Sequence, residues 1–201
     1  MLAYVLTFGR IVLAGVFAGA LAGLGAPREL TGAAMAALAG LALVEELTDI
    51  FDGMAARHAG TVSALGGILD PLADSLARLT IYFAMAMAGW VSLAVPFVMA
   101  GRDIVVAYAR IACAAAGVST SARISGKVKA VVQGAGMVAL ILLAGGPIRE
   151  AASGWGGGTG GTGGTGGIRG AVEAAVVLVT AWSLVDYVRA AWPAVRKMSG
   201  R

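Results

Sequence analysis

Six long apolar stretches constrain this chain more than any other feature of its sequence. Each is close to the roughly 20 residues that an α-helix needs to cross a bilayer. They lie at about 7–25, 31–56, 66–90, 94–116, 128–146 and 168–192. Charged residues make up only 13% of the chain, whereas a soluble domain carries about a quarter. The sequence therefore predicts an all-α integral membrane protein with six transmembrane helices that form one membrane domain over residues 1–201.

The distribution of basic residues predicts the orientation in the membrane. With the N-terminus inside, the inner connections and tail carry Arg57, Arg123, Lys127, Lys129, Arg189, Arg196, Lys197 and Arg201. The outer connections carry only Arg28, Arg149 and Arg169. Because basic residues concentrate on the cytoplasmic side, both termini are expected in the cytoplasm. The excess of 15 Lys and Arg over 11 Asp and Glu is too small to indicate nucleic-acid binding.

Glycine marks two further features. Residues 154–167 read GWGGGTGGTGGTGG, a composition that predicts a flexible loop outside the membrane. Gly15, Gly19 and Gly23 share one helix face and allow close helix packing, either within the protomer or across a dimer. The single cysteine, Cys113, excludes a disulfide framework and a Cys-based metal site.

Four aspartates within the second and third stretches point to function, because ionisable residues in membrane spans are costly. Asp49 and Asp52 share one helical face, and Asp70 and Asp74 share another. A short link at 57–61 makes the two helices antiparallel neighbours, so both pairs line a polar cavity at the cytoplasmic end. Their oxygen ligands favour Mg²⁺ or Mn²⁺, and two ions suit displacement at phosphorus. A structural charge cluster or a cation or proton pathway stays open as an alternative.

The spacing across residues 49–74 is more specific than the aspartates alone. The segment has the pattern Asp-x2-Asp-Gly-x2-Ala-Arg-x8-Gly-x3-Asp-x3-Asp. We call this pattern the acidic signature. At every fixed position it resembles the signature of the CDP-alcohol phosphatidyltransferase family of integral membrane enzymes. The family's usual six-helix architecture agrees with the six stretches.

The resemblance implies an activity and a role for each position. Family members transfer a phosphatidyl group from a CDP-linked lipid to an alcohol and release CMP. It implies that Asp49, Asp52 and Asp70 hold the two metal ions, and that Asp74 completes the second metal site and acts as general base. It implies CDP binding by Asp49, Asp52, Gly53, Ala56, Arg57, Ser63 and Gly66. It also implies a homodimer, and the expected location is a bacterial inner membrane with the site facing the cytoplasm.

Weaker likenesses bear on the acceptor alcohol. Residues 69–74, 101–110, 125–133 and 186–192 resemble stretches of bacterial phosphatidylglycerophosphate synthases, a subgroup that uses glycerol 3-phosphate. A phosphate-bearing acceptor needs cations, for which the candidates are Arg110, Lys127, Lys129 and Arg189. Lys127, Lys129 and Arg189 also fit plain positive-inside anchoring. Inositol phosphate, inositol or serine are alternative acceptors, and a small cation transporter is the alternative class.

Other charges near the acidic signature leave two arrangements open. Arg78 follows Asp74 by one helical turn and could neutralise it, or it could pair with Glu45 or Glu46 and leave Asp74 free. Ser75 occupies a position where many phosphatidylglycerophosphate synthases have Lys. Arg102 and Asp103 lie deeper in the fourth stretch, where a mainly structural pair is expected.

Overall fold

The computed structural model describes residues 2–24, 31–59, 66–118, 124–144 and 165–198, and within them the chain is helical with no strand. Each of the six predicted stretches contains a helix. The helices are α1 (Leu2–Gly23), α2 (Gly32–Ala59), α3 (Gly66–Met87), α4 (Ala94–Ala115), α5 (Ile124–Ala144) and α6 (Thr165–Met198). The all-α prediction is therefore confirmed for the described residues.

Local chemistry explains where three of these helices begin or end. The Thr31 hydroxyl accepts a hydrogen bond from the Ala34 N–H at 3.2 Å and caps the start of α2. After α3, Gly89 has φ +73°, and Trp90 N–H donates to the Met85 carbonyl at 2.8 Å. After α4, Gly117 has φ +68° and permits the same six-residue closure. Glycine is favoured at both positions because a side chain is strained at positive φ.

Several helices extend beyond the predicted stretches, and two of these extensions include residues that the sequence analysis assigns to connections. The helix α6 begins at Thr165, so residues 165–167 of the predicted loop are helical, while 154–164 lie outside the described residues. Adding these residues to a 34-residue helix needs no new nucleation, which offsets the low helix propensity of glycine. The helix α2 runs through Ala59, so Arg57 lies on the helix and not in the connection.

The helices pack as two linked groups of three. The helix α1 packs against α2 and α3, and α6 packs against α4 and α5. Contacts of α2 with α5 and of α3 with α4 join the groups. The core between them contains large apolar side chains such as Phe17, Tyr82 and Trp90, all 2% exposed or less.

The bundle also buries polar groups and exposes apolar ones. Its interior holds the charged side chains Arg10, Glu45, Arg78, Arg102 and Lys129. Its outer surface carries large apolar residues, as at Phe97 (61% exposed), Leu178 (68%) and Trp182 (51%). An apolar exterior of this kind suits contact with lipid rather than water.

Two of the described helices meet the length and hydropathy requirement for crossing a bilayer. They are the segments Ile124–Ala144 and Gly167–Lys197, each with a mean hydropathy of 1.6, and Phe8–Gly23 is a shorter apolar helix. By length and composition alone, two such helices are weak evidence for a membrane protein. Three of the remaining helices, α2, α3 and α4, carry charged residues that the fold turns inward.

Gly136 provides a test of the packing between α5 and α6. A Cβ at this position would lie 2.7 Å from Cγ2 of Val176 and 3.3 Å from the Tyr82 hydroxyl. Gly136→Ala is therefore expected to destabilise the protein by about 1–3 kcal/mol, as overpacked cores do. The measurement is the thermal unfolding midpoint in detergent. The matched control is Gly101→Ala at an exposed position of α4, where a Cβ meets no described atom within 4 Å. Equal unfolding midpoints for the two variants would contradict the close packing at Gly136.

Candidate functional site

The acidic signature divides between two helices. Asp49, Asp52, Gly53, Ala56 and Arg57 lie on α2, and their side chains are outside the described part of the structure. Gly66, Asp70 and Asp74 lie on α3, and Ser63 lies outside the described residues. Asp70 is exposed, while the Asp74 side chain is 27% exposed. The structure thus places every signature helix position but leaves the mutual geometry of the four carboxylates a prediction.

The first helix supplies a partner for Asp74. Arg10 on α1 is 3% exposed, and its Nη1 donates to Oδ1 of Asp74 on α3. A buried guanidinium is stable only when it is paired, and the pairing in turn stabilises the ionised carboxylate. The ion pair therefore ties α1 to α3 at the position that the signature identifies as the general base.

The sequence left two partners open for Arg78, which are Asp74 and one of Glu45 or Glu46, and the structure shows Glu46 as the partner. Its Nε donates to Oε1 of Glu46 at 2.9 Å, and its Nη2 donates to Oε2 at 3.1 Å. This two-point contact with a carboxylate joins α3 to α2. Asp74 is not left free, however, because Arg10 contacts it. Arg78 pairs with Glu46, and the charge on Asp74 is balanced from a helix that the sequence argument did not consider.

Glu45 adds a third carboxylate to this region. It is 2% exposed, and its Oε2 has no hydrogen-bond partner among the described residues. The charges of Glu46, Arg78, Asp74 and Arg10 all act on it. We call these five residues the inner ion-pair cluster. Among these five residues, two carboxylates are each paired with an arginine, and Glu45 is the third carboxyl group.

The predicted metal site can be compared with the structure only in part. Among the described side chains, no three His, Cys, Asp or Glu residues form a group that could hold a metal ion. Asp70 and Asp74 are one turn apart on α3, and their carboxylate oxygens are the donors that Mg²⁺ and Mn²⁺ prefer.

A second group of charges lies between α4, α5 and α6. Asp103 accepts hydrogen bonds from Nη1 of Arg102 at 2.8 Å and from Nζ of Lys129 at 3.1 Å. Nη2 of Arg102 donates to the Ser183 hydroxyl at 2.8 Å. The expected Arg102–Asp103 pair is present. Lys129 is 6% exposed and shares the Asp103 carboxylate with Arg102.

The remaining predicted acceptor cations are exposed. Nη2 of Arg110 on α4 donates to the Tyr187 hydroxyl on α6 at 2.9 Å. Lys127 on α5 and Arg189 on α6 are both exposed, and Arg189 lies two residues beyond Tyr187. The structure therefore connects Arg110 to α6 through Tyr187. Lys129 differs from the other three cations in being buried.

Sequence reasoning missed Arg10 and Tyr187. Arg10 interrupts an otherwise apolar helix, and a charge in such a position indicates a buried partner. Tyr187 lies beside Asp186, whose carboxylate accepts a hydrogen bond from the Ser125 hydroxyl. Nothing in the one-dimensional spacing connects residue 10 with residue 74, or residue 110 with residue 187.

Comparison with known proteins identifies relatives. A family model described as CDP-alcohol phosphatidyltransferase matches residues 1–182. A probable phosphatidylglycerophosphate synthase of Mycobacterium tuberculosis is 30% identical over 142 residues, which are 71% of this chain and 59% of that protein. An archaetidylinositol phosphate synthase of Pyrococcus horikoshii is 38% identical over 86 residues, or 42% of this chain and 46% of that protein. The matched regions span less than two thirds of either relative.

Removing the Arg10 guanidinium tests the inner ion-pair cluster. Arg10→Met removes the guanidinium that contacts Asp74, so we expect a loss of stability on the order of 3 kcal/mol, as for other broken buried pairs. The thermal unfolding midpoint in detergent measures it. Arg169→Met is the control, because the Arg169 side chain is 40% exposed in its pair with Glu173, and exposed pairs contribute little. An Arg10→Met variant as stable as this control would contradict a buried ion pair.

Proposed function

This chain belongs to the CDP-alcohol phosphatidyltransferase family, and we propose from that premise that it transfers a phosphatidyl group from CDP-diacylglycerol to glycerol 3-phosphate, releasing CMP. The complete acidic signature carries the proposal, since all eight fixed residues are present. The mycobacterial relative, a probable phosphatidylglycerophosphate synthase, supports the choice of acceptor.

Proton transfer is assigned to Asp74. The acceptor hydroxyl oxygen forms a bond to the phosphatidyl phosphorus while the bond from that phosphorus to the CMP oxygen breaks. The hydroxyl proton passes to the Asp74 carboxylate, and CMP departs with the bridging oxygen. Arg10 contacts this carboxylate and is assigned an orienting role, because a neighbouring cation by itself makes a carboxylate a weaker base.

Asp49, Asp52, Asp70 and Asp74 are proposed to hold two Mg²⁺ or Mn²⁺ ions. When bound, such ions neutralise charge on the pyrophosphate and on the departing phosphate. The chain's own part is to supply the carboxylate oxygens from α2 and α3.

The nucleotide is proposed to bind along α2 and the start of α3. Gly53, Ala56 and Gly66 are small and would let the cytidine approach the helix backbone, and Arg57 would contact the CDP phosphates. Ser63 is proposed to donate a hydrogen bond in the same stretch. These roles follow the family resemblance residue by residue.

The acceptor phosphate is proposed to bind Arg110, Lys127 and Arg189. Lys129 stays a fourth candidate for this phosphate, although its Nζ also donates to Asp103. Inositol phosphate is the second candidate acceptor, because the Pyrococcus relative is an archaetidylinositol phosphate synthase. Both acceptors carry a phosphate, so the same cations suit either one.

The surrounding membrane completes the proposal. The six helices are proposed to cross a bacterial inner membrane, with both termini and the polar cavity on the cytoplasmic side. The exposed apolar exterior of the bundle supports insertion. A homodimer is proposed as well; Gly15, Gly19 and Gly23 have no described atom within 4 Å of a Cβ position, so this face of α1 is open to a second helix.

Acceptor-dependent CMP release tests the function. The protein in detergent with Mg²⁺ and CDP-diacylglycerol is given glycerol 3-phosphate, inositol phosphate, inositol or serine in turn. We expect release with glycerol 3-phosphate, and a loss of at least about 100-fold in Asp74→Asn, which removes the base. Asp70→Asn should lose activity as well. Glu173→Gln on α6 is the control, since this carboxylate lies outside the acidic signature.

Each outcome has a separate meaning. Release with inositol phosphate alone would replace the acceptor and keep the reaction. Full activity of Asp70→Asn or Asp74→Asn would contradict the roles of these carboxylates. Cation flux into liposomes without any CMP release would support the transporter alternative.

A further inference from the structure

Tyr187 occupies the meeting point of α4, α5 and α6. Its side chain is buried, with the residue 5% exposed. On the α5 side, a Cβ on Gly126 would lie 3.7 Å from Cε2 and 3.9 Å from the hydroxyl oxygen of Tyr187. On the α4 side, the guanidinium carbons of Arg102 and Arg110 lie 5.3 Å and 5.5 Å from the ring centroid. The ring is thus in contact range of two cations, which aromatic faces attract.

The two arginines at this ring differ in what else they bind. Arg102 is 7% exposed and donates to both Asp103 and Ser183. Arg102 is therefore paired with a carboxylate and held by two hydrogen-bond partners. Arg110 is exposed and forms no ion pair with a carboxylate within the described ranges. Its one hydrogen bond there goes to the Tyr187 hydroxyl.

No carboxylate in the described ranges therefore neutralises Arg110, and its hydrogen bond to Tyr187 restrains its position. A guanidinium has five N–H donors, and the bond to Tyr187 uses one of them. Holding such a side chain before an anion arrives removes part of the entropy cost of binding. Gly126 adjoins the Tyr187 ring. The next residue in the chain is Lys127, which is a second exposed cation.

We propose that Tyr187 is a positioning residue for the phosphate of the acceptor, acting through Arg110. The hydroxyl oxygen accepts the Arg110 N–H, the ring supports the guanidinium, and Arg102 and Gly126 hold the ring in place. The inference rests on the proposed function in one respect, that the acceptor carries a phosphate. Residue 187 also lies beyond the part of the chain that the family model matches.

Steady-state kinetics on the full chain separates positioning from general stability. Tyr187→Phe keeps the ring and removes the hydroxyl, and we expect the KM for glycerol 3-phosphate to rise about 3- to 10-fold, the effect of losing one typical hydrogen bond. The kcat and the KM for CDP-diacylglycerol should change less than about 2-fold. Arg110→Ala should raise the same KM by at least as much, and adding Tyr187→Phe to it should cause no further rise. Tyr108→Phe on α4, where Tyr108 is 70% exposed, is the control.

Inorganic phosphate provides a test that does not require turnover. Phosphate should raise the thermal unfolding midpoint of the wild-type protein and of Tyr108→Phe, and raise it less in Tyr187→Phe and Arg110→Ala. This outcome would support the inference even when no acceptor gives CMP release, so a failure of the proposed function is recognised separately. A full phosphate response in Tyr187→Phe, beside a reduced one in Arg110→Ala, would overturn it. No phosphate response in the wild type, or equal responses in all variants, would overturn it as well.

Discussion

Charge pairing inside an apolar bundle is the constraint on which the rest of this structure depends. Five charged residues of the helices lie within the bundle and need partners there: Arg10, Glu45, Arg78, Arg102 and Lys129. Arg10 with Asp74 joins α1 to α3, and Arg78 with Glu46 joins α3 to α2. Lys129 with Asp103 joins α5 to α4. Each of these ion pairs thus links two helices of the bundle, in addition to the apolar packing between them.

The two charged regions have opposite balances. The inner ion-pair cluster holds more carboxylates than guanidinium groups, and it adjoins the acidic signature. Near Tyr187, the cations Arg102, Arg110 and Lys129 outnumber the described carboxylates Asp103 and Asp186. This excess of cations suits an anion, as the proposed transfer to a phosphate-bearing alcohol requires.

The two regions meet at consecutive residues of α3. Asp74 belongs to the inner ion-pair cluster, and the side chain of the next residue, Ser75, lies beside Asp103. A Lys at position 75 would add a cation next to Asp103. In this chain Lys129 reaches the same carboxylate from α5. One of the cations at Asp103 thus comes from a residue 54 positions from Ser75 in the sequence.

The sequence by itself determined the helices and the family, because apolar runs and the spacing of the acidic signature are local properties. It also identified Asp70 and Asp74 as one helical face, since residues four apart on a helix are neighbours. Only the tertiary structure decided which charged residues form ion pairs. The pairs are Arg10 with Asp74, Arg78 with Glu46, and Lys129 with Asp103. Each of those pairs joins residues 26 to 64 positions apart. Which of several nearby charges combine depends on how the helices rotate and cross, and the sequence pattern of a single helix contains no information about that.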